Sequence, residues 1–158
     1  MHESDLNTDL ILWRHADAED GTPDSSRQLT KRGRKQAARM ARWLDQQLPA
    51  HYRVLSSPAA RALQTAEALR STVKTDKRLA VGASAADVLK VCGWPNQGGA
   101  TLVVGHQPTL GRVAALLISG REHDWTLRKG SICWLSRRPR SGDTGVVLRA
   151  VIQPEMIP

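Results

Sequence analysis

The sequence predicts an α/β fold, a three-layer α/β/α sandwich around a mostly parallel sheet with an antiparallel edge strand. Short apolar runs typical of buried strands alternate along the chain with segments whose apolar residues have helical spacing. Near the C-terminus, two segments predicted as strands follow each other across a turn, as antiparallel strands do. The chain has 158 residues, enough to bury a core. We therefore expect one domain over residues 1–158.

A polar loop separates the first predicted strand from the first predicted helix. Residues 9–14 are apolar enough for a buried strand, and residues 16–29 contain glycine, proline and paired serines that favour a loop. Thr30 can then cap a helix whose apolar residues continue at helical spacing to Leu48. Pro49 is expected to end this helix.

The next strand and helix follow directly. Residues 54–56 are predicted as a short strand, with Ser57 as the N-cap of the second helix and Pro58 at its first position. A short extended segment is expected at residues 78–83. A helix is then predicted over residues 84–91, where a serine and the aspartate three residues later form a capping box.

The last third of the chain contains a helix and three strands. Residues 101–104 are predicted as a buried strand, and Pro108 opens the helix that follows. Residues 131–135 and 145–152 are predicted as strands. We expect them to pair antiparallel across a turn at residues 137–144.

The chain is strongly basic. It has 23 lysines and arginines against 15 aspartates and glutamates, for a net charge of +8. Such a balance favours nucleic acid, an acidic protein or a phosphorylated substrate as the partner. Because no aromatic residues lie between the clustered charges, a surface for single-stranded nucleic acid is not favoured. We interpret two clusters as a solvated helix face and a turn. The first, the basic segment, contains Arg27, Lys31, Arg32, Arg34, Lys35, Arg39 and Arg42, and the second contains Arg137, Arg138 and Arg140.

Nothing in the sequence indicates a membrane or secreted protein. No apolar run approaches the roughly 20 residues needed to span a bilayer, and residues 1–9 are too polar for a signal peptide. We therefore expect a cytoplasmic protein with no membrane partner. Cys92 and Cys133 lie far apart inside predicted elements. We interpret them as reduced, buried side chains, and they lack the spacing of metal ligands.

Arginine and histidine side chains follow three of the predicted strands. Arg14 and His15 come at the end of the first strand, Arg61 lies in the first turn of the second helix, and His106 comes two residues after the third strand. The carboxyl ends of parallel strands meet at one edge of a sheet, so we expect these four to converge. Arginine offers planar, bidentate donors to phosphate oxygens, and a neutral imidazole can attack phosphorus. Taken singly, Arg14-His15 also fits a surface pair and Arg61 a solvated side chain, and His106 also fits a buried structural histidine.

Together, these motifs are similar to those of the histidine phosphatase superfamily, also called phosphoglycerate mutase-like. The similarity is greatest to its small SixA-type phosphohistidine phosphatases, and it covers about residues 9–119 in order. The matching segments are Leu12-Trp13-Arg14-His15-Ala16, Leu29-Thr30-Lys31-Arg32-Gly33 with Gln36-Ala37, Ser56-Ser57-Pro58 with Arg61-Ala62 and Gln64-Thr65-Ala66, and Val103-Val104-Gly105-His106-Gln107-Pro108.

The resemblance implies a role for each of the four residues. His15 would be the nucleophile that becomes phosphorylated, and Arg14 and Arg61 would hold the phosphoryl oxygens. His106 would bind the phosphate and stabilise the transition state. No metal or other cofactor is expected. Secondary candidates for contact with the substrate are Asp17, Ser57, Gln107 through its backbone N–H, and Thr109.

One carboxylate of the larger family members is missing. They carry a Glu or Asp proton donor between the second arginine and the second histidine, near residues 79–84 here, and that stretch has no carboxylate. An ester oxygen benefits from an acid when it leaves, whereas the phosphorus–nitrogen bond of phosphohistidine breaks with less help. SixA-type members are known for lacking this acid, so its absence favours that branch. Asp17 is a candidate substitute donor.

The predicted function is therefore a metal-independent phosphatase that works through a phosphohistidine intermediate. Its expected substrate is phosphohistidine on a protein, such as a histidine phosphotransfer domain, with the basic segment as a candidate docking surface for an acidic partner. Two alternatives stay open. One is a phosphatase for a small phosphoester with Asp17 as proton donor, and the other is a non-catalytic module that binds a phosphoprotein or nucleic acid. A mutase is least favoured, since it needs the missing acid.

Overall fold

The structure is a computed structural model that describes residues 7–70, 72–138 and 145–158. Within these residues, a six-stranded sheet has the order β3-β2-β4-β1-β5-β6. Its strands are β1 (Thr8–Arg14), β2 (Tyr52–Ser56), β3 (Lys74–Thr75), β4 (Gly99–Gly105), β5 (Ile132–Arg137) and β6 (Val146–Ile152). The first four strands pair in parallel, whereas β5 is antiparallel to β1 and β6 is antiparallel to β5. The predicted mostly parallel sheet with an antiparallel edge is confirmed.

Helices cover both faces of the sheet. They are α1 (Lys31–Gln47), α2 (Ala60–Glu67), α3 (Ala85–Cys92) and α4 (Thr109–Ser119). Successive side chains of a strand point to opposite faces. In β1, Leu10 and Leu12 accordingly pack with α3 and α4, while Ile11 and Trp13 pack with α1 and α2. The predicted three-layer α/β/α sandwich is therefore confirmed.

The helix boundaries follow local capping chemistry. The side chain of Thr30 accepts a hydrogen bond from the N–H of Gly33 and so caps α1, as predicted. The predicted capping box of Ser84 and Asp87 starts α3, with both of its hydrogen bonds present. Gly33 also lets the loop approach the helix, because a Cβ at this position would overlap the carbonyl oxygen of Asp17.

The predicted start of α2 is wrong. The helix begins at Ala60 with Ala59 as its N-cap, so Ser57 and Pro58 precede it. The N–H of Ser57 donates to the carbonyl of Val104 in β4, which keeps Ser57 attached to the end of the sheet. Its hydroxyl accepts from the N–H of Ala59 but does not reach the first turn of the helix as a cap would.

The predicted extended segment at residues 78–83 is also wrong. Residues 77–79 form a 3-10 helix because the side chain of Asp76 accepts from the N–H of Arg78 and pairs with its guanidinium. The edge strand β3 lies earlier in the chain. The antiparallel pair of β5 and β6 is confirmed. Part of the predicted turn, residues 139–144 with Arg140, and residues 1–6 lie outside the described residues.

Both cysteines are free and buried, as predicted. Burial raises the pKa of the Cys92 thiol to about 12 and that of Cys133 to about 11, so neither is a reactive thiolate near neutral pH. No helix in the described part of the chain is long and apolar enough to cross a membrane.

Candidate active site

The carboxyl ends of β1, β2 and β4 lie side by side at one edge of the sheet. Arg14 of β1 pairs in register with Gly105 of β4, and Ser56 of β2 pairs with Val104. The residues that follow these strand ends, among them His15 and His106, therefore reach the same edge, where ligands bind in open α/β sheets. Register in the parallel sheet thus sets the position of the site.

Arg61 and the two histidines lie together, as predicted. The His15 and His106 ring centroids are 5.2 Å apart. The Nε of Arg61 lies 3.4 Å from Nε2 of His15, and its Nη2 lies 3.5 Å from Nδ1 of His106. All three residues are buried, with exposed fractions of 3% for Arg61, 7% for His15 and 4% for His106.

The imidazole of His15 is held in one tautomer. Its Nδ1 lies 2.8 Å from the carbonyl oxygen of Ala16, which can only accept, so Nδ1 carries the proton. Burial, with the charges of Arg61 and Arg14, lowers the pKa of His15 to about 4 despite the opposing effect of the Ala16 hydrogen bond. Near neutral pH, Nε2 is therefore unprotonated, and its lone pair faces the Nε–H of Arg61 at 3.4 Å.

His106 has the opposite tautomer. Its Nδ1 faces an Arg61 nitrogen that can only donate, so the proton lies on Nε2, which donates to the hydroxyl of Ser57 at 2.8 Å. Burial, together with His15 and Arg61, lowers the pKa of His106 to about 3. Ser57 therefore orients a histidine of the site.

Asp24 and Arg27 belong to this site, although the sequence analysis did not place them there. Arg61 donates through Nη1 to the carbonyl oxygen of Asp24 at 2.9 Å and through Nη2 to its carboxylate at 3.0 Å. Arg27 donates to the same carboxylate at 3.1 Å. The Arg61 hydrogen bond is the largest cause that lowers the pKa of Asp24. Arg61 lies 37 positions from Asp24 in the chain, so no local pattern could reveal the pair.

Arg14 keeps one donor free. Its Nη1 donates to the carbonyl of Leu127 at 2.8 Å, while its Nε is buried without a hydrogen-bond partner in the described structure. The N–H of Gly130 donates to the carbonyls of both Arg14 and His15, which holds this turn of the backbone. A buried guanidinium donor without a partner suits an anion.

The remaining candidates make mainly structural contacts. The side chain of Gln107 donates to the carbonyl of Trp125 and accepts from the N–H of Gly111. Thr109 donates to the carbonyl of Ala83. The carboxylate of Asp17 accepts from Thr30 at 2.7 Å and pairs with Lys129 at 3.1 Å. The Thr30 hydrogen bond is the largest cause that lowers the pKa of Asp17, which disfavours proton donation by it.

The site can hold an anion with about two negative charges. Arg14, Arg27 and Arg61 contribute three positive charges and Asp24 one negative charge, while both histidines are neutral. A phosphoryl group carries about two negative charges near neutral pH. Within the described residues, no cluster of three or more histidine, cysteine or carboxylate side chains is placed to hold a metal ion.

The buried histidines are expected to make the protein sensitive to mild acid. The unfolded chain protonates both imidazoles below about pH 6.5, whereas the folded protein resists protonation until the pH approaches the lowered pKa of each. The free energy of unfolding is therefore expected to fall by about 1–3 kcal/mol per histidine between pH 6.5 and pH 4.

Urea unfolding at a series of pH values measures this loss. The double variant His15→Gln/His106→Gln is expected to lose most of the pH dependence between about pH 6.5 and 5, a window above the usual carboxylate range. His51→Gln, at an exposed position before β2, is the control and is expected to keep it. An unchanged slope in the double variant would contradict the burial of neutral histidines.

Asp24 is expected to oppose the binding of anions at Arg61. In the substitution Asp24→Asn, binding of inorganic phosphate is expected to tighten by about threefold to tenfold, since one exposed negative charge is removed. The control is Asp20→Asn, an exposed carboxylate of the same loop. The measurement is the dissociation constant for phosphate at low ionic strength. Weaker binding by Asp24→Asn would show that this carboxylate assists anion binding.

Comparison with known proteins agrees with the predicted resemblance. Residues 10–82 match the family model of the histidine phosphatase superfamily (branch 1). No curated protein matches the chain in sequence. Among solved structures, the protein histidine phosphatase SixA in complex with tungstate is 28% identical with a TM-score of 0.79, and the match covers 94% of this chain and 98% of that one.

Two further structures share the fold. A protein assigned as phosphohistidine phosphatase SixA from Nakamurella multipartitia is 29% identical with a TM-score of 0.77, covering 94% of this chain and 96% of that one. A mutant phosphoserine phosphatase from Entamoeba histolytica, solved with phosphoserine, is 19% identical with a TM-score of 0.69, covering 94% and 98%. This last likeness concerns the fold alone. Residues 10–82 thus match the model of the histidine phosphatase superfamily, and the fold of the chain is similar to that of structures named SixA.

Proposed function

We propose that the protein is a metal-independent phosphohistidine phosphatase that transfers the phosphoryl group to His15 and then hydrolyses it. The substrate in this proposal is phosphohistidine on a protein, such as a histidine phosphotransfer domain. Support comes from the site geometry and from the similarity to SixA structures, one of which holds tungstate, a tetrahedral oxyanion. We propose also that residues 1–158 form a single domain and that the protein is cytoplasmic.

In the first step, Nε2 of His15 attacks phosphorus. The bond from phosphorus to the substrate imidazole breaks, and its electron pair returns to that ring nitrogen. When the other ring nitrogen of the substrate carries a proton, the substrate leaves as neutral imidazole. Arg14 and Arg61 hold the phosphoryl oxygens, while the Ala16 carbonyl keeps the proton on Nδ1 and so aims the lone pair of Nε2.

In the second step, water attacks the phosphorus of phosphorylated His15. The Nε2–phosphorus bond breaks, its electron pair returns to Nε2, and both protons of the water leave with the phosphate as dihydrogen phosphate. Because Nδ1 has kept its proton, His15 returns to the neutral tautomer seen in the structure. The two arginines stabilise the charge on the phosphoryl oxygens in both steps. In this proposal His106 joins them when a phosphoryl group is bound, by carrying its proton on Nδ1 and accepting from the Ser57 hydroxyl at Nε2.

The observation that carries the proposal is the lack of a suitable proton donor among the described carboxyls of the site. Asp24 pairs with Arg61 and Arg27, and Asp17 is held by Thr30 and Lys129. Both carboxyls have a lowered pKa and are therefore ionised near neutral pH. An alkoxide leaving group benefits from a general acid, whereas a protonated phosphohistidine carries its own proton. Such a site favours phosphorus–nitrogen bonds.

The experiment compares two peptides of one sequence that carry either phosphohistidine or phosphoserine at the same position. Phosphate release is measured with and without EDTA, and His15→Ala is the blank. We expect rapid release from the phosphohistidine peptide and at least about 100-fold slower release from the ester, the scale of general acid catalysis. Comparable release from both would favour a phosphoester phosphatase with a proton donor. Binding without release from either would favour a non-catalytic module, and loss of activity in EDTA would contradict metal independence.

A further inference from the structure

A groove lined by basic side chains adjoins the site on the side of Arg14. It consists of two neighbouring cavities of about 370 and 350 Å³, which share Arg32, Gln36 and Glu155 in their walls. The first is lined also by Arg14, Asp17, Arg128 and Lys129. The second is lined also by Lys35, Arg39 and Pro154. The basic side chains outnumber the acidic ones, and the groove begins at a residue of the site itself.

Helix α1 carries charges that are unfavourable for an isolated helix. Its first turn has basic residues and no acidic one, although the N-terminus of a helix favours negative charge. Lys35 lies one turn from both Lys31 and Arg39, so like charges face each other along the helix. Local preferences that are broken in this way are typical of functional surfaces.

The basic side chains that α1 contributes to the groove lack acidic partners. Arg32, Lys35 and Arg39 form no ion pair within the described part of the chain. Arg128 and Lys129, in contrast, lie near Glu155 and Asp17. Three positive charges along one side of a helix are therefore available to an external acidic group.

We propose that this groove docks acidic residues that flank the phosphohistidine of a protein substrate, an inference that rests on the proposed function. Arg32 and Arg39 are seven residues apart on α1, or about 10 Å along its axis, which matches about three residues of extended peptide. Arg14 belongs both to the groove and to the site, so a segment in the groove continues towards His15. By charge complementarity, the groove then favours protein substrates that have acidic residues next to the phosphohistidine.

A protein fits the groove better than a nucleic acid does. Asp17 and Glu155 lie in its walls, where they would repel a uniformly anionic backbone. A protein segment that places its acidic residues beside Arg32, Lys35 and Arg39 avoids this repulsion. None of the residues that line the two cavities is aromatic, although single-stranded nucleic acids bind largely by stacking of bases on aromatic rings.

The test uses two peptides with one central phosphohistidine, flanked on both sides by three glutamates or by three glutamines. At low salt, the wild-type kcat/KM is expected to be about tenfold higher for the glutamate peptide than for the glutamine peptide. This expectation assigns a gain of about twofold to each exposed charge pair. This preference is expected to shrink as salt is added. In the groove variant Arg32→Gln/Lys35→Gln/Arg39→Gln, the ratio is expected to fall to about one.

A matched variant controls for net charge. Lys31→Gln/Arg34→Gln/Arg42→Gln removes the same number of charges from the same helix, at positions that do not line the groove, and is expected to keep the preference. An equal fall of the ratio in both variants would overturn the docking proposal in favour of a general charge effect. A wild-type ratio near one would overturn it and leave the proposed function intact.

Two further outcomes separate this inference from the proposed function. If neither peptide is hydrolysed, the proposed function fails. Fluorescence anisotropy with the unphosphorylated glutamate peptide then tests the groove alone, where weaker binding by the groove variant supports docking and equal binding overturns it. If single-stranded DNA displaces this peptide from the groove with a steep salt dependence, the groove binds nucleic acid and the proposal of a protein partner is overturned.

Discussion

The substitution His15→Ala is expected to reduce phosphate release from phosphohistidine by about 10⁴-fold or more, the scale on which loss of a covalent nucleophile acts. The imidazole of His15 is buried, unprotonated on Nε2 and within 3.4 Å of Arg61. Nδ1 of His106 also faces Arg61, and the proposed function assigns the attack to His15 because Arg14-His15 resembles the nucleophile motif of histidine phosphatases. Loss of the ring therefore removes the first chemical step.

The measurement is single-turnover phosphate release together with the affinity for inorganic phosphate. His15→Ala is expected to retain phosphate binding within about tenfold, because Arg14, Arg61 and His106 remain. The control is His51→Ala, which changes an exposed histidine before β2 and is expected to behave as wild type. Release within tenfold of wild type in His15→Ala would contradict its role as nucleophile.

The substitution Arg61→Lys is expected to lower kcat/KM by about 10²–10³-fold, as the loss of a well-placed donor to a developing charge does. The guanidinium of Arg61 contacts His15, His106 and Asp24 at once, through three different nitrogens. A single ammonium cannot keep these contacts in one plane. Because lysine retains the positive charge, the fall in kcat/KM measures the loss of the planar guanidinium geometry and not the loss of a charge.

Arg70→Lys is the matched control for Arg61→Lys. Arg70 comes shortly after the end of α2, is exposed and contacts Tyr52, outside the site. We expect wild-type kcat/KM for this control. Thermal unfolding of both variants checks that the fold is kept, because Arg61 also holds the loop at Asp24. A folded Arg61→Lys protein with near-normal kcat/KM would contradict the role of the planar guanidinium.

The meeting of His15, Arg61 and His106 could be predicted from local patterns. His15 and His106 follow apolar runs typical of buried strands, and the carboxyl ends of parallel strands meet at one edge of the sheet. The antiparallel pair of β5 and β6 was predictable from two strand-like segments that follow each other across a turn.

The parts that could not be predicted depend on long-range contacts. Ser57 looks like a helix cap in sequence, yet it orients His106, which lies 49 positions away. Asp24 is one of several carboxylates in a polar loop, and only the folded structure places it on Arg61. The edge strand β3 has two residues, both exposed, so it shows no periodicity that a sequence pattern could detect.

The most direct test of the central claim is rapid-quench labelling with a peptide whose phosphohistidine carries radioactive phosphate. A phosphoserine peptide of the same sequence is run in parallel. We expect a burst of label on the protein approaching one equivalent, stable to base and labile to acid, on the proteolytic fragment that contains His15, and only from the phosphohistidine peptide. Release of phosphate with no label on His15, or label that appears faster from phosphoserine, would contradict a phosphohistidine phosphatase that works through this histidine.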